Sequence, residues 1–94
     1  MLLERSELMI REGQEEGFDA VMRERGLSIL SDFDGVNAVH FGRGVENPSK
    51  FLLMVEWVDM SAHEAFKKSP VYGPFRELFG PYSVGGVMEH FEMI

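Results

Sequence analysis

The chain has 94 residues, no cysteine, and a formal net charge of −7 from 16 acidic and nine basic side chains. The absence of cysteine excludes disulfides, thiolate nucleophiles and cysteine-ligated metals. The acidic balance, without any run of Lys or Arg, argues against nucleic acid as a partner.

Length and composition also set the expected organisation. We expect one domain over residues 1–94. Hydrophobic residues make up 45% of the chain and include eight Phe and seven Met, more than one small core needs, so we expect a homodimer. The start of the chain, Met1–Arg5, lacks the basic and apolar regions of a signal peptide. We therefore expect a cytoplasmic protein without a membrane partner.

Hydrophobic periodicity predicts the order β-α-β-β-α-β, with the second helical part broken in two. The first helix has acidic residues in its first turns, where the helix dipole favours them, and Gly26 is expected to kink or break it. Gly85-Gly86 predicts a bulge or a close backbone contact. The order predicts a ferredoxin-like α+β fold with a four-stranded antiparallel sheet. The first predicted strand ends at Ile10, and the other three span 36–42, 51–57 and 84–94. The first predicted helix spans 14–30.

The third strand begins with five consecutive apolar residues, Phe51–Val55. A strand with one exposed face alternates apolar and polar residues, so this run predicts that both faces are covered. A helix follows at once, because Ser61 and Glu64 have the spacing of a capping box. Ser69-Pro70 predicts a second helix start, with Pro at the first helical position.

The region from Phe51 to Phe75 resembles the antibiotic biosynthesis monooxygenase domains, and weaker matches extend the resemblance from about Glu4 to Glu92. It implies a dimeric α/β barrel in which two ferredoxin-like sheets pair. It also implies an oxygenase without a bound cofactor, in which the electron-rich anion of the substrate activates oxygen. The matching features are the strand ending at Glu56-Trp57, the helix after Ser61, the Phe66–Pro70 turn with Tyr72 and Phe75, and the segments Arg11–Phe18 and Val87–Phe91.

Aromatic side chains gather where the fold places a cleft between sheet and helices. Trp57 closes the third strand, while Phe66, Tyr72 and Phe75 come from the helical region. An apolar aromatic pocket with a few polar groups suits a planar organic ligand, so we expect these residues to bind substrate. The alternative is that the rings only form the core.

Two histidines are candidates for the base that would deprotonate a phenol or hydroquinone, His40 and His63. Alternation along the second strand puts His40 on one face with Val36 and Ala38, whereas His63 lies early in a helix, often a solvated position. His90 and Glu92 share a face of the last strand, but two ligands are too few for a metal site, so we expect no metal.

Arg43 and Arg76 are the cations expected to approach the cleft and to bind negative charge on the substrate. Heme-degrading relatives carry Asn, Trp and His where this chain has Ser6, Phe66 and Arg76, so we expect no heme and no other cofactor. Many other relatives carry histidines at the positions of Phe66 and Val71, and this chain lacks both of these histidines.

The leading hypothesis is a cofactor-independent monooxygenase-like protein that acts on a small aromatic or quinol-type substrate. The alternative is a non-catalytic dimeric α/β barrel that binds a small molecule or serves a stress response. A purely structural dimer with a filled core would have no cleft at all.

Overall fold

Four antiparallel strands form one sheet, and all helices pack on one of its faces. The computed structural model describes residues 1–94. The strand order is β2-β3-β1-β4, so β1 and β3 are central, which confirms the predicted ferredoxin-like α+β arrangement. None of the helices combines the length and the apolar character that a membrane crossing requires. The elements are β1 (Leu2–Ile10), α1 (Glu15–Val21), a π-helical segment (Met22–Gly26), α2 (Leu27–Ser31), β2 (Val36–Arg43), β3 (Lys50–Trp57), α3 (Met60–Lys67), α4 (Tyr72–Glu77) and β4 (Ser83–Glu92).

The core lies between the sheet and the helices. On β3 the buried residues alternate from Phe51 to Trp57, and Phe18 of α1 packs against Phe51 with ring centroids 5.0 Å apart. The intervening residues Leu52 and Met54 lie on the outer face and are half-buried. The helices of the single chain therefore cover only one face of β3, and the apolar side chains of the outer face remain partly exposed.

The first helical run continues through Gly26 without breaking. Its turn over Met22–Gly26 is π-helical. A side-chain carbon added at Gly26 would lie 2.6 Å from Sδ of the buried Met22, so glycine leaves room for that side chain. The predicted break at Gly26 is therefore a wider turn that accommodates Met22.

Both predicted starts of the later helices are wrong in detail. Asp59 is the N-cap of α3. Its backbone is extended, and its carboxylate accepts a 2.9 Å hydrogen bond from the Ala62 amide. Ser61 therefore lies inside the helix and forms no capping box. Helix α4 begins at Tyr72 after Val71, because the turn at residues 69–72 comes first. The proline accordingly precedes the helix.

A bulge in β2 changes which side chains face the helices. Val36 pairs with Trp57 while Ala38 pairs with Glu56, so the ladder contains one extra residue at Asn37. Val36 consequently faces the core, and His40 faces outward with Ala38. The prediction that Val36 shares a face with His40 is wrong, because simple alternation does not survive the bulge.

The predicted irregularity at Gly85-Gly86 is confirmed. Gly85 has φ of +155°, and the ladder between β1 and β4 shifts register at Met9/Ile10. A side-chain carbon at Gly86 would lie 2.6 Å from the Glu7 carbonyl oxygen, so the two backbones approach each other closely there.

Candidate active site

A cavity of about 590 Å³ opens between the sheet and the two short helices. Its floor is the inner face of β1 and β4, and α3 and α4 form the opposite wall. The volume falls in the usual range of small-molecule sites, so the core is not filled throughout. Its apolar lining residues include Leu8, Leu53, Phe66, Tyr72, Phe75 and Met88.

Glu4 is a buried carboxylate in the cavity floor. It is only 6% exposed and shares the inward face of β1 with Leu2 and Ser6. Its Oε1 accepts a hydrogen bond from Trp57 Nε1 at 3.0 Å, and its Oε2 accepts one from Ser6 Oγ at 3.2 Å. Burial of a carboxylate is costly unless such donors are present. Trp57 and Ser6 therefore hold Glu4 at a fixed position.

His63 lies between Glu4 and His90 and is 5% exposed. Its Nε2 is 3.4 Å from Glu4 Oε1, and its Nδ1 is 3.0 Å from His90 Nε2. A carboxylate beside Nε2 favours the tautomer with the proton on that nitrogen. In this tautomer Nδ1 accepts a hydrogen bond from His90. The three side chains form a continuous chain from the buried carboxylate to the cavity, which we call the Glu4–His63–His90 chain.

Burial lowers the pKa of His63 below its ordinary value, because the charged imidazolium is poorly solvated there. The Glu4 carboxylate opposes this effect, whereas His90 and Lys67 add to it. His63 is therefore buried, although positions early in a helix are often solvated. The lowered pKa keeps the ring neutral near pH 7, in the form that accepts a proton.

The same three side chains are the group best suited to bind a metal, since one ligand atom from each lies within 4.8 Å of the others. Glutamate and two histidines are ligands that zinc and iron accept. Here, however, both Glu4 oxygens already accept hydrogen bonds, and the two histidine nitrogens are at hydrogen-bond distance. These hydrogen bonds, with the 3.4 Å contact between Glu4 and His63, account for the cluster without a metal ion.

Of the eight residues predicted from the sequence to act in catalysis or substrate binding, five line the cavity and three do not. Trp57 lies behind the wall and reaches the site through Glu4. His40 lies on the outer face, 2.9 Å from Glu56. Arg43 pairs with Glu16 at 2.8 Å and lies away from the cavity. The five lining residues are His63, Phe66, Tyr72, Phe75 and Arg76.

Sequence reasoning did not assign Glu4 or Ser6 to the site, and it considered His90 only as a metal ligand. The alternation of the strand could have indicated them, because Glu4 and Ser6 fall on the same face of β1 as the apolar residues Leu2 and Ile10. The register Glu4↔His90 between β1 and β4 then brings the carboxylate and the imidazole side by side. That register depends on tertiary pairing and cannot be seen in local sequence.

Comparison with known proteins identifies the family. The family model described as antibiotic biosynthesis monooxygenase matches residues 1–78. The Bacillus subtilis protein YczJ is 31% identical over 94 residues, covering 98% of each chain. A Bordetella bronchiseptica protein described with the same family name is 21% identical, with a TM-score of 0.89 over 99% of this chain and 96% of that chain. SnoaB of Streptomyces nogalater, a cofactor-independent oxygenase, is 14% identical, with a TM-score of 0.86 over 98% and 91% of the two chains. The chain belongs to the antibiotic biosynthesis monooxygenase family.

Proposed function

We propose that this protein is a cofactor-independent monooxygenase-like enzyme that acts on a small aromatic or quinol-type substrate. One observation carries the proposal: the Glu4–His63–His90 chain runs from a buried carboxylate into an aromatic-walled cavity of about 590 Å³. Membership of the family supports a monooxygenase-like role, and the similar fold of SnoaB supports the absence of a cofactor requirement.

The chemistry begins with removal of the hydroxyl proton from the substrate. The His63–His90 pair takes this proton, and the Glu4 carboxylate lies beside the pair and offsets its positive charge. Glu4 is assigned a supporting role, because its two oxygens already accept hydrogen bonds from Trp57 and Ser6. Its role is to orient His63 and to stabilise the imidazolium.

The resulting phenolate or hydroquinone anion supplies the electrons that reduce O₂. One oxygen atom enters the ring and the other leaves as water, so a hydroquinone and O₂ give a hydroxyquinone and water. The apolar walls at Phe66 and Phe75 limit access of bulk water to the reacting anion. Arg76, which also lines the cavity, contributes positive charge that favours an anionic substrate.

Oxygen uptake with 1-naphthol and 2-methylhydroquinone tests the proposal, after correction for oxidation without protein. We expect equal consumption of O₂ and substrate, and His63→Gln or His90→Gln should lower kcat/KM by about 10²- to 10⁴-fold. His40→Gln is the matched comparison, because His40 lies on the opposite face of the sheet. Loss of activity in His40→Gln alone would overturn the assignment of the base.

Non-catalytic binding of a small molecule is the second candidate. The replacement of the histidines that many relatives carry, by Phe66 and Val71 here, favours it. It predicts saturable binding of the same phenols without O₂ consumption above the uncatalysed rate. Oxygen uptake and equilibrium binding, measured on one sample, distinguish the two candidates.

We also propose that two copies pair through their outer sheet faces. Each outer face carries apolar side chains that the single chain leaves partly uncovered. The charged side chains of this face are paired with one another within the chain. Lys50 lies 3.1 Å from Glu7, and His40 lies 2.9 Å from Glu56. Such pairing lowers the cost of covering the face. The apolar residues are Leu3, Met9, Leu52, Met54, Val87 and Phe91.

A further inference from the structure

The charges around the cavity differ in sign from those of the protein as a whole. The chain carries 16 acidic and nine basic residues, yet Glu4 is the one acidic residue that lines the cavity. That carboxylate is buried and hydrogen-bonded to Trp57 and Ser6. Two cations, Lys67 and Arg76, line the same cavity from the helical wall. A positively lined cavity in an acidic protein favours an anionic ligand over a neutral one.

Arg76 has its hydrogen-bonding capacity largely free. Its Nη1 donates to the Tyr72 hydroxyl at 3.2 Å, and the guanidinium lies 5.9 Å from the centre of the Tyr72 ring. No carboxylate lies within 4.0 Å of it, unlike Arg43, which pairs with Glu16. A guanidinium has five N–H donors in a fork that matches a carboxylate, so donors remain for a ligand.

Lys67 adds a second cation to the same wall. It ends α3 and pairs with Glu64 at 3.1 Å. Both partners of this pair are more than 40% exposed, so the pair contributes little stability and can open at little cost. The Lys67 ammonium can therefore turn toward a ligand that already contacts Arg76.

Building on the function proposed above, we propose that the substrate is an aromatic acid, a phenol or hydroquinone that also carries a carboxylate. The carboxylate binds Arg76 and Lys67 on the helical wall, and the ring lies against Phe66 and Phe75. The hydroxyl then faces the His63–His90 pair. The cavity thus separates a charged anchoring end from a reacting end.

Two probes that differ only in the carboxylate test this inference, 6-hydroxy-2-naphthoate and 2-naphthol. Their equilibrium binding is measured by fluorescence under anaerobic conditions, so that no turnover occurs. We expect the acid to bind at least about tenfold more tightly, with the difference shrinking as salt rises. Arg76→Gln and Lys67→Gln should each weaken binding of the acid and leave 2-naphthol unchanged. Arg25→Gln is the control, since it removes the same charge at an exposed site away from the cavity.

The outcomes separate this inference from the proposed function. Equal affinity for the two probes, an equal effect of Arg76→Gln on both, or binding of neither would overturn the aromatic-acid inference. Tight, Arg76-dependent binding of the acid without O₂ consumption would sustain it and overturn the oxygenase proposal instead.

Discussion

Trp57 and Glu4 join the ends of the two central strands through a buried hydrogen bond of 3.0 Å from the indole N–H to the carboxylate. Trp57 is fully buried, and Glu4 in turn lies 3.4 Å from Nε2 of His63. The bond therefore ties the packing of the core to the position of the histidine. Trp57 contributes to the site from behind the wall.

Trp57→Phe removes the donor and leaves a buried carboxylate oxygen without its partner. We expect it to lower the free energy of unfolding by about 2 kcal/mol or more. Glu4→Leu should also destabilise because it removes the acceptor, and the double variant should cost less than the sum because both changes break the same bond. Urea unfolding at one protein concentration measures all three. Strictly additive effects would show that the bond contributes nothing.

His63 makes stability depend on pH. Burial lowers its pKa in the folded state, with Glu4 and Glu64 opposing and His90 and Lys67 adding to the effect. Below about pH 6.5 the unfolded chain binds a proton at this ring before the folded chain does. The free energy of unfolding therefore falls as pH falls from about 6.5 to the lowered pKa, by at most about 1.4 kcal/mol per pH unit.

Urea unfolding between about pH 5 and 8 measures this effect in the wild type and in His63→Gln. The variant lacks the titrating ring, so its stability should fall less steeply toward low pH. His40→Gln is the control, since His40 is more than half exposed. If all three proteins show the same slope, His63 is not the group responsible.

Gly86 is required by the close approach of β4 to β1. A side-chain carbon there would lie 2.6 Å from the Glu7 carbonyl oxygen, which is backbone and cannot turn aside. We expect Gly86→Ala to lower the free energy of unfolding by about 1–3 kcal/mol and to disturb the cavity floor. Gly42→Ala in β2 meets nothing within 4 Å and should change stability by less than about 0.5 kcal/mol. Equal stability of the two variants would contradict the close contact.

The order of elements and the ferredoxin-like fold follow from local patterns, such as the apolar run Phe51–Val55 and the helix that follows it. Details that depend on strand pairing or on which residue caps a helix do not follow from local patterns. The bulge at Asn37 shifts β2, and Asp59 caps α3 in place of Ser61. Such competition between neighbouring caps and registers is decided by tertiary packing.

The candidate site shows the same division. His63 is a plausible base by residue type alone, yet its burial and its partner His90 depend on how β4 pairs with β1. Glu4 has the charge of a surface residue, and only donors from Trp57 and Ser6 make its burial tolerable. Long-range hydrogen bonds of this kind have no local signature.

The outer sheet face gives the clearest test of self-association. Leu52 lies there opposite Glu7 in the ladder and is half-buried in the single chain. In a symmetric pair Leu52 occurs twice at one interface, so Leu52→Asp would place two unpaired carboxylates in it. At several kcal/mol for an uncompensated buried charge, we expect the dimer dissociation constant to rise at least about 100-fold.

Sedimentation equilibrium across a range of protein concentrations measures this constant. Val45→Asp is the matched control, because Val45 is 87% exposed in the loop between β2 and β3 and should not affect association. A wild-type protein that stays monomeric would contradict the proposed pairing of outer faces. A dimer that tolerates Leu52→Asp as well as Val45→Asp would place the interface elsewhere on the molecule, and the apolar character of Leu52 and Met54 would then need another partner.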